Sequence, residues 1–234
     1  MSNIEFENRA VAFIDVLGFK SIVKNASKNG NKLEELKDLI VLLETVVPNL
    51  DGTVDSNVPQ DLIPKHIYIS DCIILSTPLK SDKMPNYQGL SVLVMRVIQI
   101  SHFLLSRGYL IRGGVSIGPT WHTDSNIIGT AYQEAYRLET ETIVPRVELS
   151  PNAKKHWNTT EGSTNKMCLD YKDKFIVNVL HYYYISDINS TKEDTFKEYL
   201  GIIQKKMEDN HSECINYKLW WFKQYIESEI HNHY

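Results

Sequence analysis

Two aspartates stand inside short apolar segments, and they are the residues best placed to do chemistry. Asp15 lies in FIDVLGF and Asp71 lies in IYISDCIIL. A carboxylate among β-branched side chains is costly unless something pairs with it, and Asp is rarely buried alone. Each aspartate by itself could equally cap a strand end or form a turn. On neighbouring strands, however, the two could converge on one or two divalent cations, because Mg²⁺ and Mn²⁺ bind carboxylates together with substrate phosphates.

The residues that follow Asp15 are suited to binding phosphate. Val16 and Leu17 complete the apolar segment, and Gly18 interrupts it before Phe19. A strand that enters a helix through glycine exposes backbone N–H groups, and these can bind a triphosphate.

Two further groups carry polar side chains in apolar or helical patterns. Arg112 lies in LIRGGVSIG, where an arginine among apolar residues needs an anion, either a carboxylate or a phosphate. Gln133 and Arg137 are four residues apart in GTAYQEAYRLE, so they share one face of the predicted helix. Taken alone, this pair is better explained as a solvated polar face.

The composition excludes a general nucleic-acid binder. The 234-residue chain has 25 Lys and Arg against 29 Asp and Glu, and its formal net charge is −4. Nucleic-acid binding relies on a basic surface, so phosphate chemistry here needs local arginines or metal ions. Three separated cysteines, and no signal-like or membrane-length apolar run, favour a cytoplasmic protein with reduced thiols. The eight histidines are scattered and we interpret most as structural, while the role of His122 stays open.

The elements that must position these residues alternate between strands and helices, which predicts an α/β sandwich with helices packed on a sheet. Single strands are expected at 10–17, 109–117, 143–149 and 175–185, and a strand pair at 65–76. Helices are expected after Gly18 and at 31–47, 90–107, 129–142, 191–207 and 212–230. The polar stretch 154–174 is predicted to be rich in turns. We expect one domain over 8–188 and a C-terminal helical extension over 189–234.

In chain order, these groups resemble the class III nucleotide cyclases over roughly residues 10 to 150. That family has an aspartate in its first strand before a Gly-Phe turn, and a second aspartate at a hairpin tip. Its R-x-G-x-x-x-G strand corresponds to Arg112, Gly114 and Gly118. Its G-x-x-x-N-x-x-x-R helix corresponds to Gly129, Gln133 and Arg137. The resemblance implies an α+β sandwich with a ferredoxin-like core sheet covered by helices, and it makes residues 8–188 the catalytic domain.

A narrower resemblance is to the bacterial pyrimidine cyclases of Pycsar antiphage defence. The features that carry it are the opening FIDVLGF, the Ser-Asp before the third strand, the double glycine of IRGG, the AYRLE helix and the PRV strand. It implies conversion of UTP, or CTP, to a 3′,5′-cyclic nucleotide and pyrophosphate. It also implies a homodimer with shared active sites and a separate effector that binds the cyclic product, with no direct role for nucleic acid or membrane.

The resemblance further implies a metal centre. Two divalent ions, Mn²⁺ or Mg²⁺, are expected on Asp15 and Asp71, with the Val16 carbonyl as a further ligand. One ion would activate the ribose 3′-hydroxyl, and the other would hold the triphosphate. The backbone from Leu17 through Gly18 to Phe19 would contact the phosphates.

The remaining site residues come from the helix and from the base pocket. Arg137 would stabilise charge at the phosphorus, Gln133 would orient the ribose, and Arg112 would contact phosphate. In the family the carboxylates come from one protomer and the arginine-bearing helix from the other.

Two positions depart from the purine cyclases and bear on the choice of base. Where adenylate cyclases have a Lys and an Asp, this sequence has Ile67 and Asn126. Asn126 could both donate to and accept from a pyrimidine edge, and Tyr68 could narrow the pocket against a purine. UTP is preferred to CTP only because the family implies it more often. The alternatives are a purine or dinucleotide cyclase and an inactive module that senses nucleotide.

Overall fold

The fold is built on one sheet, and the computed structural model describes residues 4–28, 30–53, 56–160, 166–181, 191–209 and 211–233. Within these residues the strands are β1 (Glu7–Val16), β2 (Lys65–Ile69), β3 (Cys72–Pro78), β4 (Ile111–His122), β5 (Ile127–Gly129), β6 (Val147–Leu149), β7 (Cys168–Tyr171) and β8 (Lys174–Val177). The helices are α1 (Phe19–Ala26), α2 (Leu33–Val41), α3 (Val47–Asn49), α4 (Gly89–Leu105), α5 (Thr130–Glu141), α6 (Pro151–Thr160), α7 (Lys192–Glu208) and α8 (Glu213–His233). A π-helical turn over Leu42–Val46 joins α2 to α3.

The strand order places the chemistry-bearing strands side by side. The sheet runs β2-β3-β1-β4-β6-β8-β7, and β5 pairs with β4. β1 lies between β3 and β4 and is antiparallel to both, whereas β6 is parallel to β4. This mixed sheet with its covering helices confirms the predicted α/β sandwich.

Alternation along β1 separates the two faces of the sheet. The even-numbered residues 10–16 belong to the main apolar core, which they share with residues of α4, α6, α7 and α8. Val11 and Phe13 instead belong to a smaller cluster with Ala135 of α5. Because successive side chains of a strand point to opposite faces, Asp15 lies on the side of Val11 and Phe13. We call this side the α5 face.

The C-terminal helices pack on the main core rather than standing apart from it. Phe196 of α7 and Tyr225 of α8 are almost fully buried, and burial of each such side chain contributes roughly 1.5–3 kcal/mol. His102 of α4 is hydrogen-bonded to the Tyr199 hydroxyl and to the His181 carbonyl, both at 3.0 Å. Burial lowers the pKa of His102 to about 4, so this link between α4 and α7 is made by a neutral ring.

Three segments differ from the pattern predicted by the sequence. The stretch 154–174, predicted to be turns, contains most of α6 and all of β7, so that prediction is wrong. The strand predicted at 175–185 is the short β8, and residues 182–190 lie outside the described residues, as does the expected boundary at 188. The helix predicted at 31–47 changes from α to π winding after Val41.

Within the described ranges, no helix is both long enough and apolar enough to cross a bilayer.

Candidate active site

The two aspartates meet at one end of β1. Asp15 pairs with Cys72 of β3 on one side and with Arg112 of β4 on the other. Asp71 lies in the tight turn between β2 and β3, after Ser70, whose φ of 60° is left-handed. The Asp71 carbonyl accepts a hydrogen bond from the Val16 N–H at 3.1 Å, which fixes the hairpin tip against the end of β1.

This arrangement brings potential metal ligands together. Carboxylate oxygens of Asp15 and Asp71 and the Cys72 sulfur all lie within 4.8 Å of one another. Burial raises the pKa of Asp15, and Asp71 raises it further, while Arg112 opposes the shift. Burial also raises the pKa of the Cys72 thiol to about 12. Hard oxygen donors in a partly desolvated acidic cluster fit a divalent cation, and the Val16 carbonyl remains a predicted further ligand.

Arg112 is held by carboxylates. Its Nε lies 2.9 Å from Asp15, a terminal nitrogen lies 2.8 Å from Glu139 of α5, and another donates to the Thr142 carbonyl at 3.1 Å. The sequence predicted that Arg112 pairs with either a carboxylate or a phosphate. The structure shows the carboxylate, and the contact with phosphate stays a prediction. The charges of Asp15, Asp71 and Glu139 exceed that of Arg112, so the cluster retains negative charge for a cation.

Glu139 was missed as a site residue by the sequence reasoning. It is buried on α5, and burial raises its pKa while Arg112 lowers it. The sequence feature that could have identified Glu139 is its helical spacing, because it shares a helix face with Ala131 and Ala135, which are buried.

The backbone after β1 forms the expected glycine turn. Gly18 has a φ of 90° and precedes the first residue of α1. Its carbonyl accepts hydrogen bonds from Ser21 and Ile22, while the Leu17 N–H donates to Leu110. The first turn of α1, which begins at Phe19, contains no acidic residue. Helix N-termini leave N–H groups without intrahelical partners, so this turn can accept an anion beside Asp15.

Gln133 and Arg137 lie on the solvent-exposed side of α5. They share a face, as their spacing predicts, but the structure does not bring them into the carboxylate cluster of the same chain. Arg137 is paired instead with Glu134 at 2.7 Å and with Glu141 at 2.5 Å.

The residues expected at the base are also outside the carboxylate cluster. Asn126 is exposed in the turn between β4 and β5, where its N–H donates to the Thr123 hydroxyl. Arg112 pairs with Asp15, and β4 continues ten residues to His122, which places this turn about 30 Å along the strand. Tyr68 packs on the main core, opposite the α5 face, so it cannot line a pocket with Asp15.

A second polar group lies at this far end of the α5 face. His122 is buried, and its Nδ1 lies 2.6 Å from the Ser76 hydroxyl, which accepts a hydrogen bond from Arg9 at 2.8 Å. Burial lowers the pKa of His122 to about 4, so the ring is neutral. A cavity of about 760 Å³ opens nearby, and its lining includes Arg9, Lys65 and Asp124.

Comparison with known proteins identifies the fold. No family model matches the sequence, and no curated protein is significantly similar to it. Among solved structures, the adenylyl cyclase CyaB from P. aeruginosa has a TM-score of 0.51 at 14% identity, covering 75% of this chain and 94% of that chain. The catalytic core of a rhodopsin-guanylyl cyclase with converted specificity, in complex with ATPαS, has a TM-score of 0.51 at 15% identity, covering 75% and 98%. The chain therefore has the fold of adenylyl and guanylyl cyclase catalytic domains.

Proposed function

We propose that this protein is a metal-dependent pyrimidine nucleotide cyclase that forms 3′,5′-cyclic UMP, or cyclic CMP, and releases pyrophosphate. The observation that carries the proposal is the convergence of Asp15 and Asp71 within 4.8 Å on a nucleotide-cyclase fold. Burial and mutual repulsion make this pair costly without a cation, as the raised pKa of Asp15 indicates. Its position at the end of β1, beside the turn at Gly18, suits a nucleoside triphosphate.

The chain's own groups divide the work on the triphosphate. Asp15, Asp71 and the Val16 carbonyl would hold two divalent ions, Mn²⁺ or Mg²⁺. Bound there, such ions make the ribose 3′-hydroxyl more acidic and offset the charge of the phosphates. The N–H groups after Gly18, in the first turn of α1, orient the phosphate chain for in-line attack at the α-phosphorus.

We further propose that two protomers complete each site. Within one chain Arg137 faces solvent and Asn126 lies about 30 Å from Arg112 along β4. A second protomer can bring its Arg137 to the developing charge at phosphorus and its Gln133 to the ribose. A two-fold dimer then contains two equivalent sites.

Exposed apolar side chains support such a dimer. Ile69 at the β2–β3 turn, Ile128 on β5, Tyr136 on α5 and Ile143 just after α5 are all largely exposed. Ile69, Tyr136 and Ile143 flank the carboxylate cluster, whereas Ile128 lies at the far end of β4. A second copy of the chain could cover them.

The choice of a pyrimidine rests on two residues: Ile67, which lies on the α5 face across Ile74 from Phe13, and Asn126, in the turn at the far end of β4. Ile67 cannot make the polar contact of a lysine, and the Asn126 amide both donates and accepts. The cavity beside Asp124 and Lys65 supplies space next to the Asn126 turn. UTP is the first choice and CTP the second. A cytoplasmic role in antiphage signalling through a separate effector follows from the same sequence resemblance.

The test is incubation of the purified dimer with each of the four NTPs and Mn²⁺. We expect a cyclic pyrimidine nucleotide and pyrophosphate, and a loss of at least about 100-fold in Asp71→Ala, because a metal ligand is removed. Asp173→Ala is a matched control, since Asp173 also follows a left-handed residue, Lys172, in a tight turn between two strands. A cyclic purine nucleotide as product would refute UTP and CTP as the substrates and favour a purine cyclase. Binding without turnover of any NTP would refute the enzyme and favour a sensing module.

A further inference from the structure

Cys72 is the one member of the converging group that the proposed function leaves without a role. It is the first residue of β3, and its Cα pairs with that of Asp15. Side chains of residues directly opposite on antiparallel strands lie on the same face, with Cβ atoms about 4.5–5.5 Å apart. The Cys72 sulfur therefore belongs to the α5 face, and it lies 4.0 Å from an Asp71 carboxylate oxygen.

These separations are those expected of ligands that share one ion. Metal–oxygen bonds of about 2.1 Å and metal–sulfur bonds of about 2.3 Å place ligand atoms up to about 4.5 Å apart. The three potential ligand atoms lie within 4.8 Å of one another before any cation has drawn them together. Cys72 is a free cysteine and only half-buried, so its sulfur is available to an ion that the aspartates hold.

We propose that Cys72 is a third protein ligand of the metal centre and shifts its preference from Mg²⁺ towards thiophilic divalent ions such as Zn²⁺ and Cd²⁺. Coordination exchanges the S–H bond for a sulfur–metal bond and releases one proton to solvent. Thiolate is a soft ligand that Mg²⁺ does not select, whereas carboxylates alone suit Mg²⁺ well. The inference rests on the metal centre of the proposed function and concerns which ion that centre prefers.

The experiment is a titration of the full chain with Cd²⁺, followed by the ultraviolet charge-transfer absorption of a thiolate–cadmium bond. We expect the band in the wild-type chain, and its loss in Cys72→Ser. Removal of a residue that only contacts a metal ligand weakens metal binding about 10- to 100-fold. Loss of the sulfur, a ligand itself, should therefore weaken Cd²⁺ binding at least about 100-fold. Mg²⁺ affinity, measured by calorimetry, should change less than about threefold, because Mg²⁺ does not depend on sulfur.

Matched variants separate this inference from the proposed function. Cys214→Ser removes an exposed thiol on α8 and should leave the band intact. Asp71→Ala should weaken both Cd²⁺ and Mn²⁺ binding. A band that persists in Cys72→Ser, or that disappears in Cys214→Ser, overturns the role of Cys72 while the aspartate centre stands. Failure of the wild-type chain to bind Mn²⁺ at all refutes the metal centre and, with it, this inference.

A second measurement needs no substitution at the site. In the Cys214→Ser background, Zn²⁺ should slow alkylation of Cys72 by iodoacetamide at least about tenfold, because a coordinated sulfur is not free to attack. Mg²⁺ at the same occupancy should slow it much less. Equal protection by both ions would mean that an ion only covers the thiol, and it would overturn the ligand assignment.

Discussion

Arg112 is bonded to Asp15 and to Glu139 at once, and its side chain is 26% exposed. Both acids are more deeply buried than the arginine, and burial raises the pKa of each. The guanidinium thus stabilises the carboxylates while the centre is without a cation. A metal ion held at Asp15 would supply the same counter-charge.

Substitution of Arg112 by methionine tests this exchange. Arg112→Met leaves two carboxylates without their partner, and we expect it to lower the free energy of unfolding by about 2–3 kcal/mol in the absence of metal, below the 3–5 kcal/mol of fully buried pairs. Mn²⁺ should then raise the melting temperature more in the variant than in the wild type. Calorimetry or circular dichroism with and without Mn²⁺ measures both effects.

Arg146→Met is the control for Arg112→Met. Arg146 pairs with the buried Glu148 at 2.7 Å on the next strand, away from Asp15. The Arg146→Met variant should lose a similar free energy of unfolding, but its rise in melting temperature with Mn²⁺ should equal that of the wild type. An equal rise in Arg112→Met as well would contradict the proposed exchange of counter-charges.

At the scale of elements, the contact between β4 and α5 sets the position of α5. A Cβ on Gly114 would lie 2.4 Å from the Ala135 carbonyl oxygen and 2.5 Å from the Leu138 Cβ. The helix therefore rests directly on the strand backbone at the second glycine of IRGG. Glu139 depends on this close approach for its place beside Arg112.

Gly114→Ala should force α5 away from β4. Overpacking of this kind lowers the free energy of unfolding by about 1–3 kcal/mol. The cyclase activity of the folded variant should also fall, because Arg137 moves with the helix. Chemical denaturation and the cyclase assay measure the two effects. Gly201→Ala in α7 meets no atom within 4 Å and should be neutral or stabilising by up to about 1 kcal/mol. Full activity in Gly114→Ala would contradict the positioning role of this contact.

The sequence predicted those elements whose pattern is local. The apolar run at 10–17, the turn at Ser70 and Asp71 and the amphipathic run at 90–107 correspond closely to β1, the β2–β3 hairpin and α4. Helix α6 was missed because it buries Ala153 and Trp157 through tertiary contacts while most of its other residues are polar. Propensity and periodicity do not record such contacts.

Much of the candidate site was predictable for the same reason, and the rest was not. Asp15, Asp71 and the turn at Gly18 stand out as local exceptions in apolar sequence. The pairing of Arg112 with Asp15 joins residues 97 positions apart, so its anion could not be chosen from spacing. Tyr68 was placed at the base by its position in sequence, but strand alternation turns it to the main core.

At the scale of the whole molecule, the proposed shared site predicts complementation between inactive variants. Asp71→Ala removes a metal ligand from the carboxylate cluster of its chain, and Arg137→Ala removes the arginine that its α5 would contribute to the partner's site. Each variant alone should lose at least about 100-fold of the cyclase activity. After equilibration of an equimolar mixture, half of the dimers are hybrids, and each hybrid has one intact site of two. We expect recovery of about a quarter of wild-type activity.

Cyclase rates before and after mixing provide the measurement, and native mass spectrometry, which resolves the mass differences between the substituted chains, shows whether hybrids form. Each variant alone, diluted with buffer to its concentration in the mixture, serves as the control. Absence of recovery from variants that do form dimers would show that a single chain contains the whole site.

The separation of Asp15 from the Asn126 turn, about 30 Å along one strand, has a consequence for how much product a cell obtains from a given amount of chain. If productive sites exist only in pairs of chains, the rate rises with the square of the chain concentration until dimers dominate. A few copies would then be nearly silent, and a modest rise in expression would produce a disproportionate signal. Abundance itself would act as a threshold.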